Sequence, residues 1–297
     1  MPAGHREAGE PMYRQLYSTD GGGLALKRAQ ALVITSHPGP SLAITALTTL
    51  LAAEAAPHGI GAALTAPALL AGQLSIGWSN DACDAGRDAA AGRTDKPLAR
   101  GHISARAVWT AAAVAATAGL ALAFVIGPVT AGLYALVVAP GWAYNLGLKS
   151  SLWSGVMYLL GFGPLPAYAA STLPGHPVPR WPVTVAAGLL GLGAHFANVL
   201  PDLAADQATG VGGLPQRVAA RWGQGAVRAT ALVLLLTASV LLLLGATRRW
   251  VAFPGLIAAL LLAVASARGT GRVPFLAAIG IAAIDIILFA AGGEALS

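Results

Sequence analysis

Nine long apolar stretches constrain this chain more than anything else in it. They run roughly over 40–57, 61–82, 104–124, 127–147, 153–172, 181–203, 227–246, 250–267 and 273–293. About 20 residues carry a helix across a bilayer, so most of these stretches are long enough to span one. The closely spaced pairs, split by Pro57-His58-Gly59 or by Gly127-Pro128, predict helical hairpins. Only 10% of the 297 residues are charged, against about 25% in ordinary soluble domains. A soluble fold of this length lacks the polar surface to cover such runs, and disorder is excluded because it requires low hydrophobicity. A transmembrane barrel is excluded by the same runs, since its strands are short segments of alternating polarity. The expectation is an all-α, polytopic membrane protein of nine transmembrane helices. Residues 1–30 form a polar N-terminal segment that does not read as a cleaved signal peptide, and 31–297 form a single membrane domain.

Basic residues predict the orientation. With the N-terminus in the cytoplasm, that side receives Arg6, Arg14, Lys27, Arg28, Arg87, Arg93, Lys96, Arg100, Arg106, Lys149, Arg217, Arg221, Arg228, Arg268 and Arg272. The far side receives Arg180, Arg248 and Arg249, a bias of 15 to 3. The net charge of +6 is therefore a topology signal for a cell-membrane protein. No compact basic domain carries it, so nucleic acid is not an expected partner. A lone cysteine, Cys83, excludes an intramolecular disulfide and a multi-cysteine metal site.

Five of the twelve acidic residues form two clusters. The first reads Trp78-Ser-Asn-Asp-Ala-Cys-Asp-Ala-Gly-Arg-Asp88, the second Asn198-Val-Leu-Pro-Asp-Leu-Ala-Ala-Asp206. Both contain Asn-x3-Asp-x3-Asp, a spacing that stacks side chains on one helical face, one turn apart. Asn80, Asp84, Asp88 and Pro97 are matched by Asn198, Asp202, Asp206 and Pro215, each pair offset by 118 residues. The motif helices are the second and sixth, an even number of spans apart. Both clusters then fall at cytoplasmic helix ends, the pattern of an internal parallel four-helix repeat.

Carboxylates near one level of a membrane repel one another and are tolerated in a wet cavity, neutralised by cations. Oxygen-only ligands suit hard cations such as Mg²⁺, which is commonly held by one or two carboxylates plus substrate phosphates. Asn80, Asp84 and Asp88 are candidate ligands of one Mg²⁺; Asp202 and Asp206, with Asn198, of a second, the two clamping a diphosphate between them. Asp81 stands one position off the face and is assigned to substrate contact through water or a second layer. The plain alternative, acids capping helix ends in solvated loops, leaves the shared register unexplained. Arg93, Lys96 and Arg100 follow the first cluster; holding phosphate oxygens and positive-inside anchoring both fit them. The aligned positions of the second repeat are Val211, Leu214 and Val218, so the two sites are expected to differ.

These residues carry a resemblance. Asn-Asp-x2-Asp-x3-Asp at 80–88, Arg93 to Pro97-Leu98, Asp-x3-Asp at 202–206, Tyr144-Asn-Leu-Gly-Leu-Lys149, Trp153-Ser-Gly and Leu165-Pro together resemble the UbiA superfamily of intramembrane prenyltransferases. The resemblance implies nine helices around a central chamber and cytoplasmic loops, about 83–103 and 204–226, that carry the active site. It implies a Mg²⁺-dependent prenyltransferase that ionises a polyprenyl diphosphate and passes the prenyl group to an aromatic or other lipophilic acceptor, with no obligate protein partner evident. Members that cyclise the prenyl chain, as terpene cyclases, use the same diphosphate site. The resemblance also brings Tyr144 and Lys149 to the diphosphate, although Lys149 fits an interfacial anchor equally. The expected catalytic set is Asp84, Asp88, Asp202, Asp206, Arg93, Lys96, Lys149 and Tyr144. His195, one turn before Asn198, fits either an acceptor contact in the chamber or a helix-packing histidine. Asp285 lies deep in the last span and is a functional candidate by position. With the repeat, it would also suit a secondary transporter, but transporter sites lie at the midplane rather than at helix ends.

Overall fold

The computed structural model describes residues 21–53, 60–173, 175–203, 206, 210–245, 249–269 and 273–291. Its helices are α1 (Gly21–Thr35), α2 (Pro38–Ala53), α3 (Ile60–Ala90), α4 (Ala105–Ile126), α5 (Pro128–Asn145), α6 (Ser154–Phe162), α7 (Leu165–Ser171), α8 (Trp181–Val199), α9 (Leu214–Gly245), α10 (Arg249–Arg268) and α11 (Val273–Ala291). Among the described residues four helices are long and apolar enough to cross a membrane: α3, α4, α8 and α9. Shorter apolar helices cover Pro38–Ala53, Phe253–Arg268 and Leu276–Asp285.

Local chemistry sets the boundaries. Ser104 caps α4 by accepting the Ala107 N–H at 3.2 Å. Gly127 ends α4 and Pro128 opens α5, where its missing N–H costs nothing. This is the hairpin predicted there; the one at 57–59 lies outside the described residues. Three boundaries differ from the expectation. The stretch 153–172 is two helices, because Pro164 and Pro166 withdraw two donors from one continuous run. The stretch 227–246 belongs to a longer helix that starts at Leu214 and bends at Gly223, whose φ of 82° lies outside helical space. The N-terminal segment drawn to residue 30 is already helical from Gly21.

Two clusters of buried side chains hold the helices together. One gathers Leu69, Ala123, Tyr134, Val137 and Tyr168 from α3, α4, α5 and α7. The other gathers Leu190, Phe196, Leu235, Leu242 and Ile281 from α8, α9 and α11. Lipid tails are as apolar as leucine, so helices in a membrane associate by close packing and interhelical hydrogen bonds rather than by hydrophobic exclusion. Small residues permit that approach: a Cβ on Gly72 would sit 2.7 Å from Val138, and one on Gly193 2.8 Å from Leu235. Tyr134 donates to the Ala116 carbonyl at 3.0 Å, and Tyr168 to that of Thr65 at 3.1 Å. Large apolar side chains such as Val114, Phe124 and Leu261 remain exposed on the outer faces.

Candidate functional site

The first acid cluster occupies the last three turns of α3, on one uninterrupted helix as its spacing predicts. Asn80 donates to the side-chain oxygen of Asn145 at 3.1 Å. Asn145, the last residue of α5, donates in turn to the Ile76 carbonyl at 2.9 Å and to Ser79 at 2.8 Å. The amide pair thus fixes the end of α5 to α3. Sequence reasoning missed Asn145, although it lies between Tyr144 and Lys149 in a run already singled out. Asp84 forms ion pairs with two cations, Lys149 and Arg87, the latter at 2.9 Å. Lys149 stands on a short 3-10 turn, Leu148–Ser150, beyond the end of α5. Gly147, at φ 148°, makes that change of direction possible, a conformation that side chains disfavour. The pairing sets Lys149 beside the first acid row. Asp88 is buried at the foot of the row.

The basic loop after α3 divides its charges. Gly92 and Gly101 have φ of 65° and 71°, so both ends of the loop turn through left-handed backbone. Arg93 makes a two-pronged pair with Asp95 at 2.9 and 2.8 Å, out in solvent. That guanidinium holds the Asp95 carboxyl down at about 2. Lys96 turns inward and donates to Asp81 at 2.6 Å. The same Asp81 oxygen, in a residue only 2% exposed, accepts from His37 at 2.7 Å. Arg100 is exposed. His37 has no sequence signal that points to Asp81, because a contact across 44 residues leaves no periodic trace.

The second cluster does not form the continuous helical face that its spacing predicts. The helix ends at Val199, because Pro201 supplies no N–H for the next turn. Asn198 and Asp202 are exposed, Asp202 within a turn. The chain then resumes helical bonding, with the Asp206 N–H donating to the Asp202 carbonyl at 2.8 Å. Asp206 is half-buried and accepts from Gln216 at 2.7 Å. Burial raises its carboxyl above the ordinary range. It lies within electrostatic reach of Arg87 and Asp84.

Tyr144 lies within electrostatic reach of both Asp84 and Asp206. Its ring meets Tyr158 edge-on at 5.3 Å and His195 at 5.6 Å, while Tyr158 stacks on His195 at 4.3 Å. His195 is 1% exposed, and its Nε2 lies 3.2 Å from the Ser154 hydroxyl, which accepts the Leu214 N–H at 2.8 Å. Its Nδ1 is buried and has no hydrogen-bond partner among the described residues. His195 is therefore part of an aromatic wall adjoining Tyr144. Asp285 is remote in sequence from both clusters; its partner is Ser239 of α9, whose hydroxyl donates to it at 2.6 Å. Cys83 is a free, half-buried thiol.

Among the described residues, no group of three or more His, Cys, Asp or Glu side chains converges closely enough to hold a metal ion. Asp84 is instead neutralised by Lys149 and Arg87. The donors of the two clusters are nonetheless oxygen only, carboxylates and amides with cations interleaved, the composition that suits a hard divalent ion together with an anionic ligand.

The helical assembly thus sets one acid motif at the end of α3 and the other in the segment that follows α8. The sequence profile of the UbiA prenyltransferase family matches residues 41–284, and the chain belongs to that family. It is an integral membrane protein. A UbiA homolog from Archaeoglobus fulgidus bound to DMAPP and Mg²⁺ is 18% identical, with a TM-score of 0.69 over 89% of this chain and 98% of its own. The same homolog bound to GPP and Mg²⁺ gives 17% identity and 0.69, over 90% and 99%. The apo structure of a UbiA homolog from Aeropyrum pernix K1 is 20% identical, with a TM-score of 0.67 over 87% and 97%. At these identities the likeness is one of fold. No curated protein matches the chain.

Proposed function

We propose that this protein is a Mg²⁺-dependent prenyltransferase that ionises a polyprenyl diphosphate and transfers the prenyl group to a lipophilic acceptor. The observation that carries the reading is Asp84 held between Lys149 and Arg87, with Asp206 within their electrostatic reach. Acids and cations alternate there, a composition that suits an anion held through metal ions. The solved homolog bound to DMAPP or GPP with Mg²⁺ supports the diphosphate class.

Asn80, Asp84 and Asp88 would hold one Mg²⁺; Asp202 and Asp206, with Asn198, a second. When bound, these ions would neutralise the diphosphate and stabilise the negative charge that develops on it as the allylic C–O bond breaks. The protein's own cations act alongside. Asp84 would serve the ion, and Arg87 and Lys149, which stand beside it, would offer their N–H groups to phosphate oxygens. Lys96, Arg93 and Arg100 supply further donors from the loop, and Asp81 anchors Lys96. Donors fixed in place before the reaction stabilise the leaving group more in the transition state than in the ground state. Tyr144 adjoins the aromatic wall of Tyr158 and His195, beside which the allylic carbon would lie. That wall keeps water from the carbocation. The C–O electron pair leaves with the diphosphate, the acceptor bonds to the allylic carbon, and the acceptor's proton is lost.

The same reading takes 1–30 as a cytoplasmic segment and 31–297 as one domain of nine crossings around a chamber. The two acid helices belong to a parallel repeat, and the loops at about 83–103 and 204–226 lie on the cytoplasmic side. The test is to incubate the purified protein with Mg²⁺ and prenyl diphosphates of graded length, with and without aromatic and lipid acceptors. Diphosphate release with a prenylated acceptor supports transfer. Release with a cyclic hydrocarbon and no acceptor dependence would assign cyclisation instead, and no release with any of them would refute the proposal.

A further inference from the structure

His37 sits at the corner between α1 and α2 in a conformation that non-glycine residues seldom adopt, with φ of 52°. Strain of this kind persists where surrounding structure over-determines it. Here three contacts do so. The Trp78 indole donates to the Leu32 carbonyl at 2.8 Å. The Ser36 carbonyl lies so close to Gly77 that no Cβ fits between them. The His37 carbonyl accepts the Ser41 N–H at 3.3 Å, beginning α2. The corner is thereby clamped against α3 one turn before the first acid motif, and the imidazole is aimed at Asp81.

Asp81 Oδ1 receives His37 Nε2 at 2.7 Å and Lys96 Nζ at 2.6 Å. An ionised carboxylate only accepts, so the imidazole presents Nε2–H and has no lone pair there for Lys96, which lies 3.4 Å away. Two donors converge on one oxygen, and each limits where the other can go. Without the imidazole, Asp81 could rotate with Lys96, and the ammonium would be drawn toward Asp88, whose field it already feels. We propose that His37 is a positioning residue for Lys96, contributed from the α1–α2 corner, that keeps the ammonium beside the acid row rather than within it. The role of Lys96 toward a diphosphate rests on the reading above; its positioning by His37 does not.

Competitive acylation of lysine amines in the ligand-free full chain reads that positioning directly. Lys96, drawn into the acid row, should label several-fold more slowly in His37→Ala than in the unsubstituted protein, while Lys149, paired with Asp84, labels alike in both. His37→Gln, whose amide N–H can replace Nε2–H toward Asp81, should restore the faster labelling and guards against an Ala variant that folds poorly. Unchanged Lys96 labelling in folded His37→Ala, or no rescue by Gln, overturns the proposal. In turnover, His37→Ala should raise KM for the prenyl diphosphate about ten-fold, leave KM for the acceptor unchanged, and add nothing to Lys96→Gln. A loss that adds in full to Lys96→Gln, or that falls equally on both substrates, contradicts positioning. If the unsubstituted protein releases no diphosphate, the proposed function fails, and the labelling result still decides the role of His37.

Discussion

Two aspartates at matching repeat positions stand in different surroundings. Asp84 is enclosed and neutralises Lys149 and Arg87, whereas Asp202 is exposed in a turn. Removing Asp84 leaves two cations without their counter-ion. Asp84→Ala should therefore cost about 1–3 kcal/mol of stability, the usual penalty for a charged group stripped of its partner. Asp202→Ala should stay within about 0.5 kcal/mol, as surface changes do. Thermal melts of both variants in detergent check the difference; equal melts would remove the ion pairs from the account. Lys149→Gln should slow turnover by about 10²–10³-fold with the fold retained, the cost of losing one preorganised donor. A steady-state assay decides it, and near-normal turnover would return Lys149 to an anchoring role. The first acid row was legible because a spacing of four leaves a periodic trace on α3, whereas the same spacing misleads after Val199, where Pro201 interrupts the helix. His37, Asn145 and Gln216 were not. Each reaches its partner by tertiary contact, and polar side chains of that kind occur throughout any sequence.

At the scale of elements, the apolar runs announce helices because every backbone group in lipid must be satisfied within its own segment. Helix interruptions are harder to read. Pro164 and Pro201 are visible in the sequence, but prolines also occur inside unbroken helices here, as Pro67 and Pro254 do. Whether a proline ends a helix depends on what can satisfy the freed carbonyl, and that is settled by neighbours. Gly92 and Gly101 both turn through left-handed backbone at the ends of the basic loop, and Lys96 already reaches inward from it to Asp81. Closure over ligand should protect this loop from protease only when Mg²⁺ and a prenyl diphosphate analogue are present together. Limited proteolysis with each alone and with both checks this, and protection that ignores the analogue would rule out a lid.

For the whole molecule, the basic residues predict which end faces the cytoplasm, an arrangement the helices alone do not fix. In a Cys83→Ala background, a cysteine at Thr94 should react with an impermeant maleimide only from the cytoplasmic side. One at Val178, which is 85% exposed between α7 and α8, should react only from the other. The reverse pattern would invert the topology, and labelling of both from one side would change the number of crossings between them. The central claim is that two acid clusters 118 residues apart act as one diphosphate-ionising site. Its most direct measurement is diphosphate release from a prenyl diphosphate across a Mg²⁺ titration, for the unsubstituted protein, Asp84→Ala, Asp202→Ala and the double variant. The account predicts no release in EDTA and recovery with Mg²⁺. Each single variant should lose most of the rate, and the double should be little worse than either. Full turnover in chelator, or near-normal turnover in Asp202→Ala, would contradict it.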